Sequence, residues 1–318
     1  MKIVTLTLNP AFDMHCFIKT FCPYRENIAE IQSSDAGGKG VNTSRALSAN
    51  GVENLAVIIA GGENSDEFER KLKADKLNYK LVKTAGRIRE NITIHSDGEK
   101  ETRVSFNGFK CDKSLLQRIS EDIGAADSDT VITLTGSVPD GLTASDVKVF
   151  LEEFRLRGAK IVIDSRSFSL KDLTDFKPWL IKPNEFEAGA YLKTEIKTIE
   201  DGIFAAKKLQ STGIENVLLS LGDKGAVLAT DKGGYFAAAP KISAVSTIGA
   251  GDSMIAGFLS AFADKKKRPR AFAPRGGVRH GGVFKSGNSS PFTERRRNFG
   301  KTNRARSLLN RPDFNPPD

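Results

Sequence analysis

Six short runs rich in Val, Ile and Leu constrain this chain more than any other feature: Lys2–Leu8, Leu55–Ala60, Thr130–Thr135, Lys160–Asp164, Trp179–Lys182 and Val217–Leu221. A strand with one wet face alternates apolar and polar residues. These runs are largely apolar on both sides, the pattern of a parallel sheet covered on both faces. Between them, helical spacing recurs over Val41–Asn50, Asp66–Asp75, Lys113–Ile123, Ala144–Arg157, Ile199–Ser211 and Asp252–Ala263. Strand and helix alternating in this way predict a doubly wound α/β sandwich.

Two stretches break the rhythm. Ile28–Gln32 and Asn91–Asn107 read as strands without intervening helices, and the second turns on itself around Ser96, Asp97 and Gly98. A small antiparallel flap on a parallel sheet suggests a lid over a cleft. An edge extension of the main sheet is the plainer alternative.

Composition removes several function classes. The cysteines are Cys16, Cys22 and Cys111, and the histidines His15, His95 and His280. With no C-x-x-C pair, that set is too sparse for a disulfide framework or a structural zinc site. It also offers few bases for a Ser or Cys nucleophile. No apolar run is long enough to cross a bilayer, and the N-terminus has no secretory pattern, so the expected location is cytoplasmic with no membrane partner. The net charge of +9 suggests nucleic acid, but twelve Lys and Arg against three Asp and Glu fall in 268–318, leaving 36 of each sign before Arg268. The body is neutral and the tail carries the excess.

Thr247-Ile248-Gly249-Ala250-Gly251-Asp252-Ser253 is the most informative motif. It opens a helix whose apolar face is Met254, Ile255, Phe258, Leu259 and Phe262. Two glycines let the backbone approach a ligand, and the free N–H groups of a first helical turn attract an anion. A carboxylate there opposes a phosphate unless it takes a proton from an attacking hydroxyl. The structural alternative makes Asp252 a helix N-cap. Asp35-Ala36-Gly37-Gly38-Lys39-Gly40-Val41-Asn42 also runs into a helix. Lys39 offers a cation and Asn42 both a donor and an acceptor, which suits a polar anionic ligand, but the spacing of the nucleotide P-loop is missing.

Three weaker signals accompany these. Asn184 and Glu187 of KPNEFE can hold hydrated Mg²⁺ or can simply start a helix. The Ser220–Gly225 segment, SLGDKG, can line a nucleotide or be an ordinary hairpin turn. Asp13, Arg25, Asn27, Arg89 and Asn107 lie near the first strand end or the flap; Asp13 can bind hydroxyls and the arginines a phosphate.

Taken in order, NPAFD, AGGKGVN, R-x-N before a hairpin, GSVPDG, KPNEFE, SLGDKG and STIGAGDSM resemble the ribokinase-like carbohydrate kinases. The resemblance covers Met1 to Ala263 and is nearest the phosphofructokinase-B branch that holds the bacterial 1-phosphofructokinases. It implies a three-layer α/β/α sandwich, residues 1–267, with a small β-sheet lid formed by about 11–35 and 88–108 and often shared in a homodimer. It implies ATP and Mg²⁺, with transfer to a sugar phosphate. Fructose 1-phosphate is the first choice; tagatose 6-phosphate and fructose 6-phosphate are alternatives. Asp252 would be the base and the backbone of Gly249, Ala250, Gly251 and Asp252 the anion hole. Asp13, Gly38, Lys39, Asn42, Arg89 and Asn107 would hold the sugar phosphate, with Arg25 or Asn27 reaching over. Lys182, Asn184, Ser220, Gly222 and Gly225 would contact ATP, and Asn184 and Glu187 would hold Mg²⁺ through water.

The tail departs from this pattern. Residues 268–318 are rich in Arg, Gly, Pro and Asn with little apolar periodicity. A back-translation from Val278, read one base later, gives a run similar to the family's closing helices, so the tail reads as frameshifted or disordered. An Arg-rich arm binding nucleic acid, on a catalytically impaired chain, is the rival reading.

Overall fold

The computed structural model describes residues 1–97, 101–240 and 249–264. Gly98 of the expected hairpin turn, Thr247 and Ile248 of the helix-opening motif, and the tail 268–318 lie outside the described residues.

In chain order the strands are β1 (Lys2–Thr7), β2 (Ala11–Phe17), β3 (Glu30–Gly37), β4 (Leu55–Gly61), β5 (Tyr79–Thr84), β6 (Arg89–His95), β7 (Thr102–Ser105), β8 (Thr130–Thr135), β9 (Lys160–Asp164), β10 (Leu180–Ile181), β11 (Asn216–Ser220), β12 (Ala226–Thr230) and β13 (Gly233–Ala237). The helices are α1 (Lys39–Ala49), α2 (Ser65–Ala74), α3 (Ser114–Ile123), α4 (Ala144–Leu156), α5 (Leu170–Phe176), α6 (Glu185–Leu192), α7 (Ile199–Gln210) and α8 (Ala250–Ala263).

Nine strands form the main sheet in the order β13-β12-β11-β10-β9-β8-β1-β4-β5. Pairing is parallel from β5 through β11, and β12 and β13 close one edge antiparallel. Successive residues of the buried strands enter different apolar clusters. Val4, Ile132, Ile161, Ile181, Val217 and Val227 pack with Phe68 of α2, Ile119 of α3, Leu151 of α4 and Leu209 of α7. Their neighbours Ile3, Val131, Val162, Leu180, Leu218 and Leu228 pack with Leu47 of α1 and Ile255 and Leu259 of α8. The period of two along each strand therefore supplies both faces of a three-layer sandwich.

The chain leaves β1 in one direction, to β4 and β5, and later returns to the other side of β1 as β8. Such a reversal opens a crevice at the carboxyl ends of the strands, where open α/β sheets bind ligands.

The second sheet has four strands in the order β3-β2-β6-β7. The expected strand Ile28–Gln32 is corrected to Glu30–Gly37: its sequence, EIQSSDAG, is polar and small-residue-rich, so the apolar pattern pointed too early. The sheet is also not purely antiparallel, because β2 runs parallel to β6. Both strands follow strands of the main sheet that run the same way, interior β1 and edge β5, so both start from the carboxyl ends of that sheet. β5, α5, β12 and β13 had no counterpart among the expected elements, whereas β2 falls within the expected lid segment of about 11–35.

Candidate active site

Side chains of the site follow the carboxyl ends of parallel strands: Asn9 after β1, Ser137 after β8, Asp164 at the end of β9, Lys182 after β10 and Ser220 at the end of β11. Two helix N-termini complete it. α1 starts after Gly38, whose φ of 109° and close approach to Thr7 exclude a side chain, and α8 starts after Gly249 at φ 78°. Neither has a side-chain cap, as is also true of α2 and α3, whereas α4, α5, α6 and α7 each carry a capping box; what sets α1 and α8 apart is the glycine at the N-cap. The two glycine-opened helices thus present first-turn N–H groups without a side-chain acceptor, an arrangement that suits an anion.

Asp252 lies inside the first turn of α8. It is not the N-cap, since Gly249 is. Its carboxylate is buried, and Asn42 Nδ2 donates to Oδ2 at 3.1 Å. The two glycine-rich motifs, about two hundred residues apart in sequence, therefore meet. Burial pushes the Asp252 carboxyl up to about 6, helped by the Asp164 carboxylate; Lys39, the Asn42 hydrogen bond and Lys182 oppose the rise. Holding an ionised carboxylate there costs about 3 kcal/mol on the scale of one pKa unit per 1.4 kcal/mol. Burial of Ile255 and Leu259 on the same helix, each contributing about 1.5–3 kcal/mol, offsets that cost.

Asp164 organises the cations. Lys39 Nζ approaches both its oxygens at 3.3 Å, and Lys182 Nζ lies 3.4 Å from Oδ2. Burial pulls the Lys182 ammonium down, but Asp164, Asp252 and Glu187 outweigh it and its pKa is raised. A small, partly open cleft adjoins this cluster and is lined in part by Asp164, Lys182, Glu187 and Tyr191. Asn184 caps α6: its Oδ1 accepts from Glu187 N at 2.8 Å, and Glu187 Oε2 accepts from Asn184 N at 3.0 Å. The helix-start alternative for this motif is therefore realised, and Glu187 is also one of the residues that line the cleft. Ser220 bridges to Asn184, and Gly222 and Gly225 bound a short 3-10 turn beside Glu185. SLGDKG is thus the connection of an antiparallel pair, β11 and β12, as well as a neighbour of α6.

A second polar group lies on the small sheet. Asp13 Oδ1 accepts from Asn91 Nδ2 at 2.9 Å and from Arg103 Nη2 at 3.3 Å. Arg89 donates to Phe106 O at 3.1 Å and Asn9 O at 3.4 Å, while its buried Nε has no hydrogen-bond partner. Burial lowers the Arg89 pKa, Asp13 raises it and Arg103 lowers it. Asn9 Nδ2 donates to Ser137 Oγ, tying this group back to the main sheet.

Not every expected residue joins these clusters. Asn27 places its amide on Cys22 and on Arg25 O within its own loop, and Arg25 and Asn107 are exposed. Asp164, Asn91 and Arg103 escaped the sequence reading. Asp164 carries a usable signal, an acid at the carboxyl end of a strand buried on both faces. Asn91 shares Arg89's face by the strand period of two.

A family model described as pfkB family carbohydrate kinase matches residues 23–273. A 1-phosphofructokinase of Bacillus subtilis (strain 168) is 30% identical over 292 residues, covering 92% of this chain and 93% of its own. One from Borreliella burgdorferi is 31% identical over 261 residues, covering 82% and 84%. Phosphofructokinase-2 of Escherichia coli, solved in complex with substrates and products, superposes with a TM-score of 0.79 at 23% identity over 86% of this chain and 90% of that one. This last likeness is one of fold.

Proposed function

The chain belongs to the pfkB family of carbohydrate kinases, and on that premise we propose that it transfers the γ-phosphoryl group of ATP to fructose 1-phosphate, giving fructose 1,6-bisphosphate, with Asp252 as the base. The observation that carries the residue assignment is the Asp252–Asn42 hydrogen bond. It sets a buried carboxylate of raised pKa between two glycine-opened helix N-termini.

In this reading the sugar phosphate lies against the small sheet. Asp13 takes ring hydroxyls, and Arg89, with its unpartnered Nε, faces the sugar's own phosphate. Arg25, Asn27 and Asn107 join when the small sheet closes as a lid, within one chain or across a homodimer. Asp252 accepts the proton of the attacking hydroxyl. The N–H groups of Gly249, Ala250 and Gly251 receive charge that develops on the transferred group.

Lys182 and the Ser220–Gly225 turn flank the nucleotide. Glu187, which lines the cleft beside Asp164, and Asn184 next to it would hold a hydrated Mg²⁺ through water; what supports this is a hard carboxylate donor with one oxygen left over from the helix cap. When bound, that ion neutralises phosphate charge. Among the described residues no helix is long and apolar enough to cross a membrane.

A coupled assay across fructose 1-phosphate, fructose 6-phosphate and tagatose 6-phosphate tests the substrate. The highest kcat/KM is expected with fructose 1-phosphate. Preference for either other sugar moves the assignment to that hexose phosphate, and no ATP-dependent turnover of any of the three removes it.

A further inference from the structure

Asn42 carries an amide whose two ends are chemically opposite, an acceptor at Oδ1 and a donor at Nδ2. Which end faces Asp252 decides the sign of its effect. The donor favours the ionised carboxylate and the acceptor disfavours it. An amide is nearly symmetric in shape, so packing alone does not choose between the two orientations.

Arg45, one turn further along α1, makes the choice. Its Nη1 donates to Asn42 Oδ1 at 2.9 Å. A guanidinium has no acceptor, so it can hold the amide only by that end, and Nδ2 is left to reach Asp252 Oδ2. The guanidinium is itself clamped. Asp75, at the C-cap of α2, accepts from Nε at 3.0 Å and Nη2 at 2.6 Å, and Ala36 O in β3 accepts from Nη2 at 2.7 Å. Three elements thus converge on one planar fork, the setting in which Arg has no equal substitute.

We propose that Arg45 is a positioning residue of the phosphoryl transfer, acting through Asn42 to keep the donor end of that amide on Asp252. Its place in the reaction rests on the reading of Asp252 as the base. The other charged groups that face Asp252 are Lys39 of α1, Asp164 at the end of β9 and Lys182 after β10. Arg45 adds to these through a hydrogen-bond chain.

The test follows the Asp252 carboxyl by NMR in the full chain labelled with ¹³C at aspartate Cγ, its resonance assigned by loss in Asp252→Asn. Arg45→Met is expected to raise the titration midpoint by about one pH unit, the effect of one charge-assisted hydrogen bond. In an Asn42→Ala background the same change is expected to move it little. An unmoved midpoint in folded Arg45→Met overturns the proposal, and so does an equal shift in the Asn42→Ala background, which would mark a direct field effect. If the methionine variant does not fold, Arg45→Lys takes its place. One ammonium cannot span Asp75 and Asn42 together, so part of the shift is expected, and none overturns the proposal. Turnover is the separate arm: wild-type kcat in Asp252→Asn would remove the base assignment while leaving the carboxyl titration to decide whether Arg45 orients Asn42.

Discussion

Lys182 Nζ stands 3.4 Å from Asp164 Oδ2, with both side chains nearly withdrawn from water at 6% and 2% exposure. Lys39 also approaches Asp164, and the carboxylates of Asp252 and Glu187 act on Lys182 as well. Removing one partner leaves a buried charge uncompensated. Lys182→Met is therefore expected to cost about 3–5 kcal/mol in urea unfolding, and Lys182→Met/Asp164→Asn less than the sum of the two single changes. Strict additivity would show that the two side chains do not act as a pair.

The raised Asp252 value ties stability to pH. Its ordinary value is 3.8 and its folded value about 6. Between these, the folded chain keeps a proton that the unfolded chain has lost. Stability attributable to this group therefore falls as pH rises through that window, by about 3 kcal/mol in full. Asp252→Asn is expected to melt higher than the parent at pH 8, with the gap closing toward pH 4. The parent's kcat/KM is expected to drop about tenfold per unit below pH 6, as the base becomes protonated.

Asp13 is held by Asn91 and Arg103. Asp13→Asn keeps the shape but loses the charge that orients both donors and, in the proposed function, the sugar hydroxyls. The KM for the sugar phosphate is expected to rise at least about tenfold with a smaller change in kcat. Arg89→Met is expected to behave alike. Initial-rate kinetics at saturating ATP separate the two constants.

Gly251 is a helix position where a Cβ would lie 3.0 Å from Lys182 Nζ. Alanine there gains about 1 kcal/mol of helix propensity but displaces the ammonium. The expected pairing is a melting temperature near or above the parent's with kcat reduced about tenfold or more. Unchanged turnover would show that the position of Lys182 is not critical.

The central strands were legible because both their faces are buried, which leaves a sequence run that few other structures produce. β5 was not legible: YKLVKT is an edge strand with Lys80 and Lys83 outward. β12 and β13 rest on small residues and glycine, whose pattern is weak. In the site, Asn42 and Asp252 could be read from the glycines preceding their helices. The groups around them could not. Asp164 and Arg45 matter through contacts that span the sheet or join α1 to α2 and β3, and neither belongs to a local pattern that names its partner. The Asn184–Glu187 spacing left two readings open, because a capping box, which the structure has, and a metal site use the same spacing.

The most direct test is kcat for Asp252→Asn with ATP, Mg²⁺ and fructose 1-phosphate. The amide is close in size to the carboxylate and cannot take the hydroxyl proton. The account predicts a loss of about 10²–10⁴-fold in kcat with the sugar-phosphate KM within a few-fold of the parent. Turnover within a few-fold of the parent would contradict it.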